Sequence, residues 1–78
     1  MPTVLRVGPY RFFFYAGDGG EPPHVHVMRD TSEAKFWLEP VSLERNHGFK
    51  KKAINYLLRQ VTLHAEELLE KWHEFFQE

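Results

Sequence analysis

The chain is 78 residues long, enough for one domain with a modest core. It has no cysteine. That excludes disulfides and thiolate metal sites, and leaves oligomerisation, a partner or a histidine–carboxylate metal site to support so small a core. Its formal net charge of −1 excludes a global pull toward nucleic acid or membrane, so any such recognition must come from local clusters.

Residues 1–6 carry no charged leader followed by an apolar run, and no stretch approaches the ~18–20 apolar residues of a membrane span. A cytoplasmic protein with no membrane contact is expected, in keeping with the lack of cysteine. The first half of the chain reads in period two. Residues 4–7 predict a short strand, ended by Gly8 and Pro9. Residues 10–15 form a nearly unbroken apolar run rich in aromatics, as a central strand requires. Residues 16–23 are a Gly/Asp/Pro loop. Residues 24–29 alternate and predict a third strand, and residues 34–39 a fourth, stopped by Pro40. Short connections favour antiparallel neighbours.

From Lys50 onward there is neither Gly nor Pro. Ile54, Leu57, Leu58, Val61, Ala65, Leu68, Leu69, Trp72, Phe75 and Phe76 fall within an arc of about 120° on a helical wheel. The expected fold is therefore α+β: one domain over residues 1–78, with an antiparallel β-meander of three to four strands in residues 1–43 packed on one long amphipathic helix in residues 50–77. Residues 54–76 would span roughly 35 Å as a helix, against about 20 Å for a six-residue strand. The helix then overhangs the sheet, and Trp72, Phe75 and Phe76 need another surface, such as a second protomer in a homodimer or a partner protein. The alternative is a bend near Gln60 to His64 that folds the tail back.

Alternation sorts the strands into two faces. Phe12, Phe14, Val25, Val27, Phe36 and Leu38 form a wholly apolar face, expected under the helix. Arg11, Phe13, Tyr15, His24, His26, Met28, Lys35, Trp37 and Glu39 form the other. This face is too aromatic for ordinary solvation and too polar for a core, which marks an interaction surface. Aromatics among Arg, Lys and His suit RNA or another single strand, and Trp, Tyr and Arg also anchor protein interfaces. The near-neutral charge ranks the protein partner first.

His24 and His26 sit two apart on a predicted strand, so both rings leave one face and can reach one point. Zinc needs three or four ligands, and Glu21, Asp18 and His47 are the candidates for a third. The same pair could do acid–base work near neutrality, or His24 could cap the Pro22-Pro23 corner while His26 fills the face. His64 and His73 lie about 180° apart on the helix and cannot form a pair. Lys50, Lys51 and Lys52 at the helix start, with Arg45 near, oppose Glu66, Glu67, Glu70, Glu74 and Glu78 at its end. This inverts the preference of the helix dipole. The lysines could hold an anion, or two helices could pair antiparallel.

Several strings carry a resemblance: the run from Met1 to Tyr15, Glu-Pro-Pro-His-Val-His-Val from Glu21, Ala-Lys-Phe-Trp-Leu from Ala34, and Glu-Leu-Leu-Glu-x-Trp-x-Glu-Phe from Glu67. Together they resemble the bacterial domain-of-unknown-function family numbered 4160, from Met1 to about Phe76. Relatives tend to place Ser or Thr where this chain has Lys50, so a capping side chain is lost there. The resemblance implies a two-gene module like a toxin–antitoxin pair, with this chain on the toxin-like side, and it carries over no catalytic residues. Its hallmark positions are Glu21, Pro22, Pro23, His24, His26 and Trp37.

Three functions follow. In the first, His24 or His26 acts as acid/base on RNA or a nucleotide, with Arg11 or Lys35 holding phosphate. In the second, a non-enzymatic module docks a small cognate protein through Arg11, Tyr15, Glu21, Lys35 and Trp37. In the third, His24 and His26 hold a divalent metal ion.

Overall fold

The computed structural model describes residues 3–77. Met1, Pro2 and Glu78, which carry part of the N-terminal string and of the acidic helix end, lie outside the described residues. Five strands form one antiparallel sheet: β1 (Thr3–Val7), β2 (Tyr10–Phe13), β3 (His24–Arg29), β4 (Ser32–Leu38) and β5 (Val41–His47). They pair in chain order, each with the next, as a meander. A 3-10 helix, Ala16–Gly20, lies in the loop between β2 and β3. Two helices follow, α1 (Lys51–Leu63) and α2 (Ala65–Phe76).

The expectation of three to four strands is corrected to five. β5 is exposed along nearly its whole length and shows no apolar alternation. What holds it is its backbone ladder with β4, which runs from Leu38↔Val41 to Glu33↔His47. Pattern reading sees buried faces, and this strand has none. Its charged side chains suit an edge, where they discourage pairing with other chains.

The expectation of one long helix is also overturned. The chain breaks at His64, whose φ of −102° and ψ of 11° are not helical. Just before the break, the Thr62 hydroxyl donates to the Leu58 carbonyl (2.8 Å), a back-bond of the kind that bends helices. The alternative bend near Gln60 to His64 is the one the chain adopts. Its gain is burial: Leu68 and Trp72 in α2 are fully enclosed, and only Phe75 among the terminal aromatics is exposed, at 37%. The overhang that called for a second protomer is absent, because the tail finds cover within its own chain. α1 starts without a side-chain cap at Lys50, as the missing Ser or Thr implies.

Phe12, Phe14, Val25, Val27, Phe36 and Leu38 form the core with Ile54, Leu57, Val61, Leu68 and Trp72. Among the described residues no helix is long and apolar enough to cross a membrane.

Candidate metal centre

The second face of the sheet is not the open patch that alternation alone implies. Phe13, His24, His26 and Lys35 are buried, while Arg11, Tyr15 and Trp37 are half-buried. The loop between β2 and β3 brings Asp18 onto this face. Its carboxylate caps the loop's own start: Oδ2 accepts from the Tyr15 backbone N–H at 2.9 Å. The same oxygen lies 3.0 Å from Nε2 of His26 and 3.1 Å from Nε2 of His24.

Both rings are fixed from behind. His24 packs against Trp72 of α2, with ring centroids 5.0 Å apart, and against Trp37 at 5.6 Å. His26 stacks on Phe13 at 5.5 Å and meets the edge of Tyr15 at 4.5 Å. Nδ1 of His24 lies 2.9 Å from the Pro22 carbonyl. A carbonyl only accepts, so Nδ1 carries the proton and Nε2 of the neutral ring is a bare lone pair. The double proline stiffens the chain that presents this carbonyl, and the Pro23 carbonyl is tied to the Leu38 N–H at 3.0 Å.

In the neutral ring, Nε2 of His24 points at a carboxylate oxygen, acceptor against acceptor. It is buried and makes no hydrogen bond among the described residues, as is also true of Nδ1 of His26. His26 differs: its neutral Nε2–H tautomer donates to Asp18 at 3.0 Å and leaves Nδ1 as the unpartnered lone pair. Its Nε2 faces Asp18, and its Nδ1 faces Oε2 of Glu33 at 3.5 Å, too long for a hydrogen bond. Glu33 is held in turn by the Tyr15 hydroxyl, which donates to its two oxygens at 3.2 Å. One cation between the two Nε2 atoms and the Asp18 carboxylate resolves every conflict. Both Nε2 lone pairs then have a partner, Nδ1–H of His24 serves Pro22, and Nδ1–H of His26 faces the Glu33 carboxylate at 3.5 Å, a charge contact longer than a hydrogen bond. These outer contacts are those that orient metal-bound imidazoles.

The geometry fits such an ion. One ligand atom from each of the three residues lies within 4.8 Å of the others. Ligands about 2.0–2.1 Å from a tetrahedral zinc lie about 3.3 Å apart; the two distances to Asp18 are 3.0 and 3.1 Å, and the third pair lies within 4.8 Å. A single proton could hold the site instead, as one imidazolium on the Asp18 carboxylate with the other ring donating from a neutral Nε2–H. At His26 burial opposes that charge: desolvation is the main cause that pushes the pKa of His26 below its usual value, outweighing the pull of Asp18. Burial, followed by the Glu33 charge, raises the Tyr15 pKa and keeps it a donor.

Of the three candidates for a third ligand, Asp18 is the one brought in. Glu21 instead accepts from Nζ of Lys35 at 2.5 Å, and this bond lowers its pKa. Nζ of Lys35 also sits 4.8 Å from the centre of the Trp37 ring. His47 is exposed on β5. Arg11 donates to Thr3 at 2.6 Å and stacks over Phe13. Sequence reasoning missed Glu33 and Trp72. Glu33 shares a face with Lys35 and Trp37 by alternation, a signal that was there to read. Trp72 reaches His24 only because the helix breaks, which no periodicity announces.

This fold and site define a small α+β protein that gathers two histidines and one carboxylate, a metal-type donor set, on one face of its sheet. The chain belongs to the family described as domain of unknown function (DUF4160), which matches residues 10–73. No curated protein and no solved structure matches it.

Proposed function

We propose that this protein binds one divalent transition-metal ion of the zinc type through Nε2 of His24, Nε2 of His26 and the carboxylate of Asp18. The observation that carries this reading is the buried Nε2 of His24, aimed at Asp18 beside Nε2 of His26 while Nδ1 serves the Pro22 carbonyl. Two imidazoles and one carboxylate suit zinc-like ions better than magnesium or calcium, which prefer oxygen. Three protein ligands leave a fourth position for water or an added ligand. With side-chain exposures of 0% at His24, 4% at His26 and 15% at Asp18, the arrangement supports holding an ion more than turning over a large substrate.

Of the docking module's residues, Lys35 is buried, Arg11, Tyr15 and Trp37 are half-buried and Glu21 is exposed, which leaves a smaller open surface than expected. The toxin–antitoxin expectation rests on the family resemblance alone, and no contact on this face adds to it. The test is elemental analysis of untagged protein, followed by titration of the metal-free chain with Co(II) and then Zn(II). Stoichiometric metal and a tetrahedral Co(II) spectrum that zinc abolishes are expected. Protein that takes up no ion in either form would overturn the reading.

A further inference from the structure

A separate cavity of about 730 Å³ opens at the other end of β3, between the β3–β4 turn and the start of α1. Its size is in the range of small-molecule sites, roughly 300–1,000 Å³. One wall is aromatic. Tyr10 packs against Phe49 and Tyr56, with centroids 6.0 and 5.7 Å away, and both neighbours are only half-buried. The lining is strongly cationic: Arg29, Lys50, Lys52 and Arg59 against one carboxylate, Asp30. This concentration stands out in a chain whose formal net charge is −1.

The charges are available. Arg29 meets Asp30 only at 4.0 Å, and its guanidinium lies over the Tyr10 ring at 5.5 Å. Lys50, Lys52 and Arg59 are exposed. The wall is preorganised as well. Asn46 holds Phe49 by a reciprocal pair: Phe49 N–H donates to its Oδ1 (3.0 Å), and its Nδ2 donates to the Phe49 carbonyl (2.8 Å). Gly48 turns the chain at φ +105°, where a Cβ would meet the Ser32 Oγ at 2.7 Å.

An aromatic wall under a rim of cations calls for a ligand with a planar, stackable part and a phosphate. Bases stack on such rings, and guanidinium and ammonium groups hold the phosphate. We infer that this cavity binds a nucleoside monophosphate unit, with Phe49 and Tyr56 meeting the base and Arg29, Lys50 and Lys52 the phosphate. The unit is either a free nucleotide or the end of an RNA strand. This site is distinct from the metal centre and does not depend on it.

The test titrates the full ¹⁵N-labelled chain with AMP, adenosine, inorganic phosphate and a short oligoadenylate, following backbone amides. AMP is expected to shift the amides of Phe49, Lys50, Lys52 and Tyr56. It should bind about tenfold or more tighter than adenosine or phosphate, the order of effect of one base stack or one phosphate contact. The double variant Lys50→Ala, Lys52→Ala changes exposed side chains only and should weaken AMP roughly tenfold. Oligoadenylate binding tighter than AMP at the same amides would make an RNA end the source, and equal or weaker binding a free nucleotide; both uphold the inference. Phosphate binding as tightly as AMP, shifts confined to the metal face, or AMP affinity unchanged in the double-lysine variant would overturn it.

Discussion

Zinc bound between His24, His26 and Asp18 should raise the melting temperature of the metal-free chain by a predictable amount. An ion that binds only the folded state, at one hundred times its dissociation constant, stabilises that state by about 2.7 kcal/mol. In a domain of this size each kcal/mol moves Tm by about 4–8 °C, so a rise of roughly 10–20 °C is expected. Asp18→Asn separates the ion from the fold. The carboxamide keeps its shape and an oxygen for the Tyr15 N–H, but it removes the charge that two imidazoles face. The metal-free variant should lose no more than about 1.5 kcal/mol, from weakened hydrogen bonds to the Tyr15 N–H and His26, and its zinc response should nearly vanish. Melting is followed by circular dichroism after chelator dialysis, with magnesium as the hard-ion control. Equal melting temperatures with and without zinc in the native chain would refute the reasoning, as would an undiminished zinc shift in Asp18→Asn.

Three further outcomes follow. Glu33→Gln should weaken zinc up to about tenfold without changing the tetrahedral Co(II) spectrum, because the Glu33 charge 3.5 Å from Nδ1 of His26 favours the Nδ1–H form whose Nε2 is free to bind; competition against a chelating dye measures this. Zinc affinity should fall with pH, by up to about tenfold per unit for each histidine below its pKa. In the metal-free chain the depressed pKa of His26 means that the unfolded state binds more protons, so stability should decline as pH falls below 6.5 toward that lowered value, as denaturant melts at several pH values would record. Trp72→Ala should cost about 3–5 kcal/mol, whereas Phe75→Ala, at a side chain 37% exposed, should cost about 1 kcal/mol or less; urea unfolding distinguishes the two, and equal losses would contradict the folded-back tail.

How far the sequence speaks depends on what each residue's signal consists of. Alternation from Phe12 to Leu38 follows the sheet closely, because burial on one face leaves a period-two mark. β5 left no mark, since an exposed edge strand is held by backbone bonds that any residue makes. The apolar arc on residues 54–76 located the buried side of both helices but not the break, because a bend at His64 keeps the arc in phase. His24 and His26 were legible as a pair by spacing alone. Asp18 was one of three candidates, and its selection depends on the 3-10 helix Ala16–Gly20, whose geometry is a matter of loop conformation and not of periodicity.

The centre also joins separate parts of the chain. His24 and His26 are on β3, while Asp18 belongs to the loop before it. That loop meets α2 through Gly19, where an added Cβ would lie 2.9 Å from the Phe76 ring. Trp72, one turn earlier on α2, backs His24. An ion shared by β3 and the loop would therefore brace the helix tail as well. A 78-residue chain without cysteine has few ways to reinforce its core. Ligands drawn from a strand and a loop, with the His24 ring packed on the last helix, would place such a reinforcement where the meander and the folded-back tail meet.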